Sequence, residues 1–168
     1  NQAKIWNEAP LQHYHFFTEK KKSKGTFVTA RNEFLKNRHC VISTANLTEN
    51  DPETFFRNTG AHEYLFVHYG CGKLVSEYGQ FRFEPGDQII IPRGTTYQLF
   101  FDDFQKSKLL IVESSTAFDI PKHYRNEYGQ LLENAPYCER DIKIPQFLEP
   151  KDQAGEFRLL LKVGERYF

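Results

Sequence analysis

The sequence contains no methionine and a single tryptophan, and its 22 Lys+Arg are matched by 22 Asp+Glu, which leaves a formal charge of zero. Without net positive charge, nucleic acid and anionic membrane are poor partners, because both usually call for a basic face. No apolar run approaches the roughly 18 residues that a helical membrane span requires, and the N-terminus shows no apolar core of a secretion signal. Cysteine is scarce. Cys40, Cys71 and Cys138 are odd in number, lie far apart and form no CxxC or other zinc spacing. They are expected to be buried or partly buried free thiols of a reducing cytoplasm. The motifs of several large enzyme classes are also missing: no GxSxG elbow, no phosphate-cradling glycine loop and no HExxH. No catalytic residue is predicted, since spacing alone places no pair of carboxylates at one site. The first residue is Asn1 and not Met, so the 168 residues are expected to be a trimmed or partial form of something longer.

Aromatic residues are plentiful, with 16 Phe, 9 Tyr and 1 Trp, while total hydrophobicity is a modest 39%. That mixture favours a β core over Leu/Ala helix packing. A chain of 168 residues is long enough for one domain that buries about 70% of its unfolded surface. The run Glu19-Lys20-Lys21-Lys22-Ser23-Lys24-Gly25 reads as a solvated loop. Short β-prone runs then follow, with strands predicted over Thr26–Ala30, Cys40–Thr44, Glu63–Tyr69, Lys73–Ser76, Gln80–Phe83, Gln88–Ile91, Thr95–Phe101 and Lys108–Glu113. Glycine-containing turns separate them, among them Pro85-Gly86-Asp87, where Pro presets the turn and Gly admits positive φ. No long 3.6-residue period occurs, so helices should be few and short, and the class is all-β. Residues 1–118 are expected to form a β-sandwich with its core over 26–113. Residues 119–168 form a mixed extension, in which Pro121, Pro136 and Pro145 prevent long elements. Its last strand, Phe157–Val163, has no visible partner in the sequence pattern.

Two half-motifs stand out: Glu63-x3-Val67-x2-Gly70-x-Gly72, then Pro85-Gly86-Asp87-x3-Ile91-Pro92-x-Gly94. Together they resemble the cupin double-stranded β-helix, a jelly-roll β-sandwich. Metal-binding cupins place two histidines and a glutamate on the first motif and a last histidine on the second, so that N/O ligands converge inside the barrel. Matched position by position, the glutamate is Glu63, the two histidine positions fall on Phe56 and Asn58, and the last is Tyr97. One ligand in four survives, so no metal ligand is predicted, and Glu63 and Tyr97 are read as lining a vestigial barrel pocket. Strand alternation sets Glu63, Leu65 and Val67 on one face and His62, Tyr64, Phe66 and His68 on the other. With Glu63 facing inward, both histidines face out. Upstream, His13-Tyr14-His15-Phe16-Phe17-Thr18-Glu19 spells HxHx3E, but lysines follow it instead of an apolar strand, and no later turn supplies a fourth ligand. Alternating aromatic and histidine residues of an edge strand are the simpler reading of His13, His15 and Glu19.

A narrower resemblance rests on Phe56-Arg57-Asn58, Glu63–His68, Gly70-Cys71-Gly72 and Ile91-Pro92-Arg93-Gly94-Thr95-Thr96-Tyr97, together with Leu110–Glu113, Tyr124-Arg125-Asn126, Gly129–Glu133 and Pro136–Asp141. Over most of residues 11–168 the chain resembles the N-terminal half of the homogentisate 1,2-dioxygenase family. That resemblance implies a metal-free N-terminal sandwich acting as scaffold and oligomerisation domain. The Fe(II) ligands and the cleavage of homogentisate to maleylacetoacetate, a step of tyrosine and phenylalanine breakdown, would belong to a C-terminal half outside these residues. By the same resemblance the chain's partners are that catalytic half and its own copies in a trimer or hexamer, and the chain alone is inactive. The competing expectation is a stand-alone metal-free cupin that binds or senses a small molecule.

Overall fold

The structure, a computed structural model, describes residues 13, 15–18 and 24–168. The described residues form strands β1 (Arg31–Lys36), β2 (Cys40–Ala45), β3 (Thr54–Asn58), β4 (His62–Tyr69), β5 (Gly72–Ser76), β6 (Gly79–Phe83), β7 (Gln88–Ile91), β8 (Thr96–Phe101), β9 (Lys108–Ser114), β10 (Arg158–Val163) and β11 (Arg166–Tyr167). Helix is confined to single 3₁₀ turns at Phe104–Lys106, Lys122–Tyr124 and Glu139–Asp141. The all-β class with few short helices is therefore what forms. No helix among the described residues is long and apolar enough to cross a membrane.

Two sheets face each other. One has the order β1-β2-β9-β4-β7 and the other β11-β10-β3-β8-β5-β6. Alternation within the strands supplies the core between them. Leu65 and Val67 of β4, Leu109 and Ile111 of β9 and Ile91 of β7 meet Leu74, Phe83, Leu99 and Phe101 from the opposite sheet. Each such side chain stabilises the fold by about 1.5–3 kcal/mol when fully buried. Gly86, at φ 96°, occupies the third position of the turn between β6 and β7, where the Asp87 amide donates to the Glu84 carbonyl at 3.1 Å. This is the turn that Pro85-Gly86-Asp87 prescribes.

Three expectations need correction. Thr26–Ala30, rich in β-formers, is a turn and not a strand. The Thr29 hydroxyl accepts from the Thr26 amide at 2.9 Å and the Ala30 amide donates to the Thr26 carbonyl at 2.9 Å, so local side-chain bonding overrides β propensity. The strand begins one step later, at Arg31. Cys71 is exposed, because it sits in the turn between β4 and β5, while Cys40 and Cys138 are half-buried. The last strand does have a partner: β10 runs parallel to β3, with Leu160 beside Phe56 and Lys162 beside Asn58.

The chain between β9 and β10 is irregular and is fastened from outside. Gln80 and Gln146 exchange backbone hydrogen bonds of 2.9 and 2.7 Å, and Lys143 pairs with Asp87 at 2.9 Å. At the far end β10 folds back on β11, and Glu165 of that hairpin pairs with Lys36 of β1.

Candidate functional site

Along β4 the alternation that buries Leu65 and Val67 also buries Glu63, and along β9 the one that buries Leu109 and Ile111 also buries Glu113. Pairing of β4 with β9 then sets Glu63 directly opposite Glu113. Like charges at facing positions destabilise a sheet, and a buried carboxylate without a partner costs more still. Cations must therefore reach this point inside the barrel.

Two do. Arg31, the first residue of β1, places Nη1 2.6 Å from Glu63 Oε1 and 2.6 Å from Glu113 Oε1. Lys162, facing inward from β10, places Nζ 2.6 and 2.5 Å from the two oxygens of Glu113. Tyr97 of β8 donates its hydroxyl to Glu63 Oε2 at 2.7 Å, and the Asn58 amide of β3 donates to Glu113 Oε1 at 3.2 Å. All four charged side chains are at most 6% exposed. Two positive and two negative groups leave the cluster neutral. The Arg31 guanidinium also lies 4.4 Å from the ring centre of Phe27 and 5.1 Å from that of Phe56, within cation–π range.

These contacts set the protonation preferences. Burial works against the charge of Arg31, but the Glu63 and Glu113 carboxylates raise its pKa above the ordinary arginine value. Burial pushes the Glu113 carboxyl up, yet Arg31 and Lys162 together hold it below the usual range. Burial, then the Glu63 carboxylate, hold the Tyr97 hydroxyl well above its usual value.

The cupin ligand positions thus converge as their spacing implies, with different chemistry. Glu63 and Tyr97 hydrogen-bond directly, Phe56 stacks edge-on to Tyr97 with ring centres 5.6 Å apart, and Asn58 reaches Glu113. Every oxygen of both glutamates already has a cationic or hydroxyl partner, and a guanidinium nitrogen sits between the carboxylates. This donor set does not fit the divalent metal that cupins of the metal-binding type hold. No group of three or more His, Cys, Asp or Glu suited to a metal ion occurs among the described residues. His62 and His68 lie on the outer side of β4, and the His62 ring accepts from the Arg93 amide at 3.3 Å. His13 and His15 are exposed and belong to no strand, so the edge strand expected there does not form among the described residues, and Glu19 lies outside them.

Sequence reasoning missed Arg31, Glu113 and Lys162. The signal for Glu113 was available, since it continues the inward series Leu109, Ile111 along its strand. Lys162 continues a similar series from Leu160, but only the parallel pairing of β10 shows what it faces. Arg31 carries no such signal, because β propensity puts its strand over Thr26–Ala30.

A double-stranded β-helix domain protein of Klebsiella pneumoniae superposes with TM-score 0.52 at 10% identity, covering 62% of this chain and 91% of that one. The fold is that of a cupin. The Cnp3 cupin domain of Schizosaccharomyces pombe aligns at TM-score 0.47 and 11% identity, over 51% of this chain and 64% of its own. In sequence, the chain is 34% identical over 158 residues to a Saccharolobus solfataricus protein named "Putative dioxygenase". That match takes in 94% of this chain, which spans 40% of the length of the relative. No family model matches.

Proposed function

We propose that this chain is a metal-free cupin unit that scaffolds a ring-cleaving dioxygenase of the homogentisate 1,2-dioxygenase type. The observation that carries the reading is Arg31, whose guanidinium bridges Glu63 and Glu113 at the point where a catalytic cupin would gather its metal. A fixed protein cation offers no open coordination position for substrate or dioxygen. What it supplies is rigidity, because it ties β1 to β4 and β9. The relative named as a dioxygenase supports the enzymatic context, and the chain's 40% share of its length leaves room for a separate catalytic half. In this reading Fe(II) and ring cleavage belong to that half, the present barrel packs against it, and copies of the barrel build the trimer or hexamer.

The test has two arms. Elemental analysis of the 168-residue chain after incubation with Fe(II) should find no stoichiometric iron. Oxygen uptake with homogentisate should appear in the full-length product and not in this chain. Stoichiometric iron on the chain, abolished by Glu63→Gln, overturns the metal-free assignment. A full-length product that binds iron but leaves homogentisate untouched overturns the substrate assignment.

A further inference from the structure

The alternation that sends Glu63, Leu65 and Val67 of β4 into the barrel sends Tyr64 and Phe66 outward, and their cross-strand partners follow them. Tyr64 pairs with Val112 of β9 and with Ile90 of β7, while Phe66 pairs with Leu110 of β9. Val112 in turn pairs with Ile42 of β2. An apolar belt therefore crosses β2, β9, β4 and β7 on the outside of the five-stranded sheet. Ile90, at the β7 edge, is 56% exposed, so that end of the belt stands open to solvent. Phe118 packs against Tyr64 with ring centres 5.8 Å apart and extends the apolar surface.

This face also lacks charge. Among its outward positions, from Asn32 on β1 to Gln88 on β7, no side chain is Asp, Glu or Arg. The lysine in the series, Lys108 at the first position of β9, is buried at 8% exposure. An antiparallel sheet with one solvated face ordinarily alternates apolar inside with polar outside, and the other sheet does so. Its outer face carries Arg57, Lys73 and Arg82, with Lys73 paired directly opposite Arg82. Five strands about 4.8 Å apart, mostly about six residues long at about 3.4 Å each, give the uncharged face roughly 500 Å².

We propose that this face is the contact surface for a second copy of the chain, the two five-stranded sheets packing face to face about a twofold axis. Charge selects this occupant. A twofold axis sets a patch against itself, so an exposed charge near the axis meets its own sign. An uncharged face avoids that repulsion, whereas a charged partner would find no countercharge on it. The outer face of the other sheet, with Lys73 beside Arg82, would repel its own copy. Two copies stacked about 10 Å apart would bury roughly 1,000 Å² in total, close to the least that a specific interface needs. The dimer should accordingly be weak, with a dissociation constant of roughly 1–100 μM. The inference rests on the oligomer part of the reading above, for which it supplies a surface: a twofold contact suits a hexamer of two trimers. It needs neither iron nor homogentisate.

Sedimentation equilibrium of the chain tests this, at about pH 8, where a histidine is ordinarily neutral. Over roughly 5–500 μM, a span that brackets the expected constant, the mass should rise reversibly from 19.8 kDa towards twice that value. Val112→Lys and Val112→Glu, each placing a charge on the middle strand of the face, should each weaken association roughly 100-fold or more. An equimolar mixture of the two should associate again, because opposite charges then meet. Ile90→Lys repeats the test at a position that is already open to solvent. Lys73→Glu, on the other sheet, should leave association unchanged. Well-dispersed NMR spectra establish that the variants are folded. A chain that stays monomeric, a folded Val112→Lys variant that still dimerises, or a Lys/Glu mixture that stays monomeric would each overturn the proposal. A trimer indifferent to Val112→Lys would overturn this surface while leaving the oligomer reading in place.

Discussion

Replacing Arg31 by methionine removes the guanidinium while keeping much of the side-chain length. In the native cluster Arg31 serves both glutamates, each at 2.6 Å. After the substitution Glu113 keeps Lys162 at 2.5 Å, but Glu63 keeps only the Tyr97 hydroxyl. One buried carboxylate, not two, therefore loses its countercharge. Removing one partner of a buried ion pair costs about 3–5 kcal/mol. The contacts of the guanidinium with Phe27 and Phe56 add to the loss in the same direction. Against a typical domain stability of about 5–15 kcal/mol, this is a large fraction. With a urea slope of about 2 kcal/mol/M, the unfolding midpoint should fall by roughly 1.5–2.5 M at pH 7. The decisive comparison is the double variant Arg31→Met/Glu63→Gln. There the residual carboxylate is Glu113, still paired with Lys162, and the carbonyl of the introduced glutamine can still accept from Tyr97. Its midpoint should recover at least half of the loss. The reasoning is refuted if the single variant loses under about 1 kcal/mol, a third of the smallest cost expected for a broken buried pair, or if neutralising Glu63 gives no recovery.

Two further outcomes follow from the same cluster. Glu113 is held below its ordinary range, so its contribution to stability is complete above about pH 4.3 and drains away as pH falls through the lowered native value. Tyr97 is held above its ordinary range, so its contribution is complete below about pH 10 and is lost as pH rises further. Urea unfolding across pH should therefore give a plateau with decline on both sides, and Tyr97→Phe should flatten the alkaline decline. A chain ending at residue 118 lacks β10 and so loses Lys162 from Glu113 and Leu160 from beside Phe56. It should show broadened, non-cooperative unfolding, and a sharp transition with native-like NMR dispersion would count against β10 as part of the folding unit.

The fold was legible where local chemistry decides it. The glycine turns and the period-two alternation from Glu63 to Phe101 map onto β4 to β8 almost residue for residue. Sequence reading failed where side chains redirect the backbone, as at Thr26–Ala30, and where the partner lies far along the chain. At the site, Glu63 and Tyr97 were findable because a spacing motif marks them. Arg31 and Lys162 were not, since they stand 32 residues before Glu63 and 49 after Glu113 and no spacing ties them together. A glutamate on an apolar strand face asks for a cation without saying which one.

That question also bears on how this barrel keeps its shape at the place where metal-binding cupins gather their ion. Hydrophobic burial holds two sheets together, but it has little direction and leaves their relative placement soft. In metal-binding cupins, ligands from several strands fix this end of the barrel by converging on one ion. Here β4 and β9 belong to one sheet, and β3, β8 and β10 to the other. Three contacts cross between the sheets at this point: Tyr97 to Glu63, Asn58 to Glu113 and Lys162 to Glu113. Arg31 adds β1 to the same knot. The charge cluster therefore pins these strands together at the position where metal-binding cupins hold their ion. A substitution that restored histidines at Phe56 and Asn58 would not recover a metal centre while Arg31 remains between the glutamates, because the cation position is already filled.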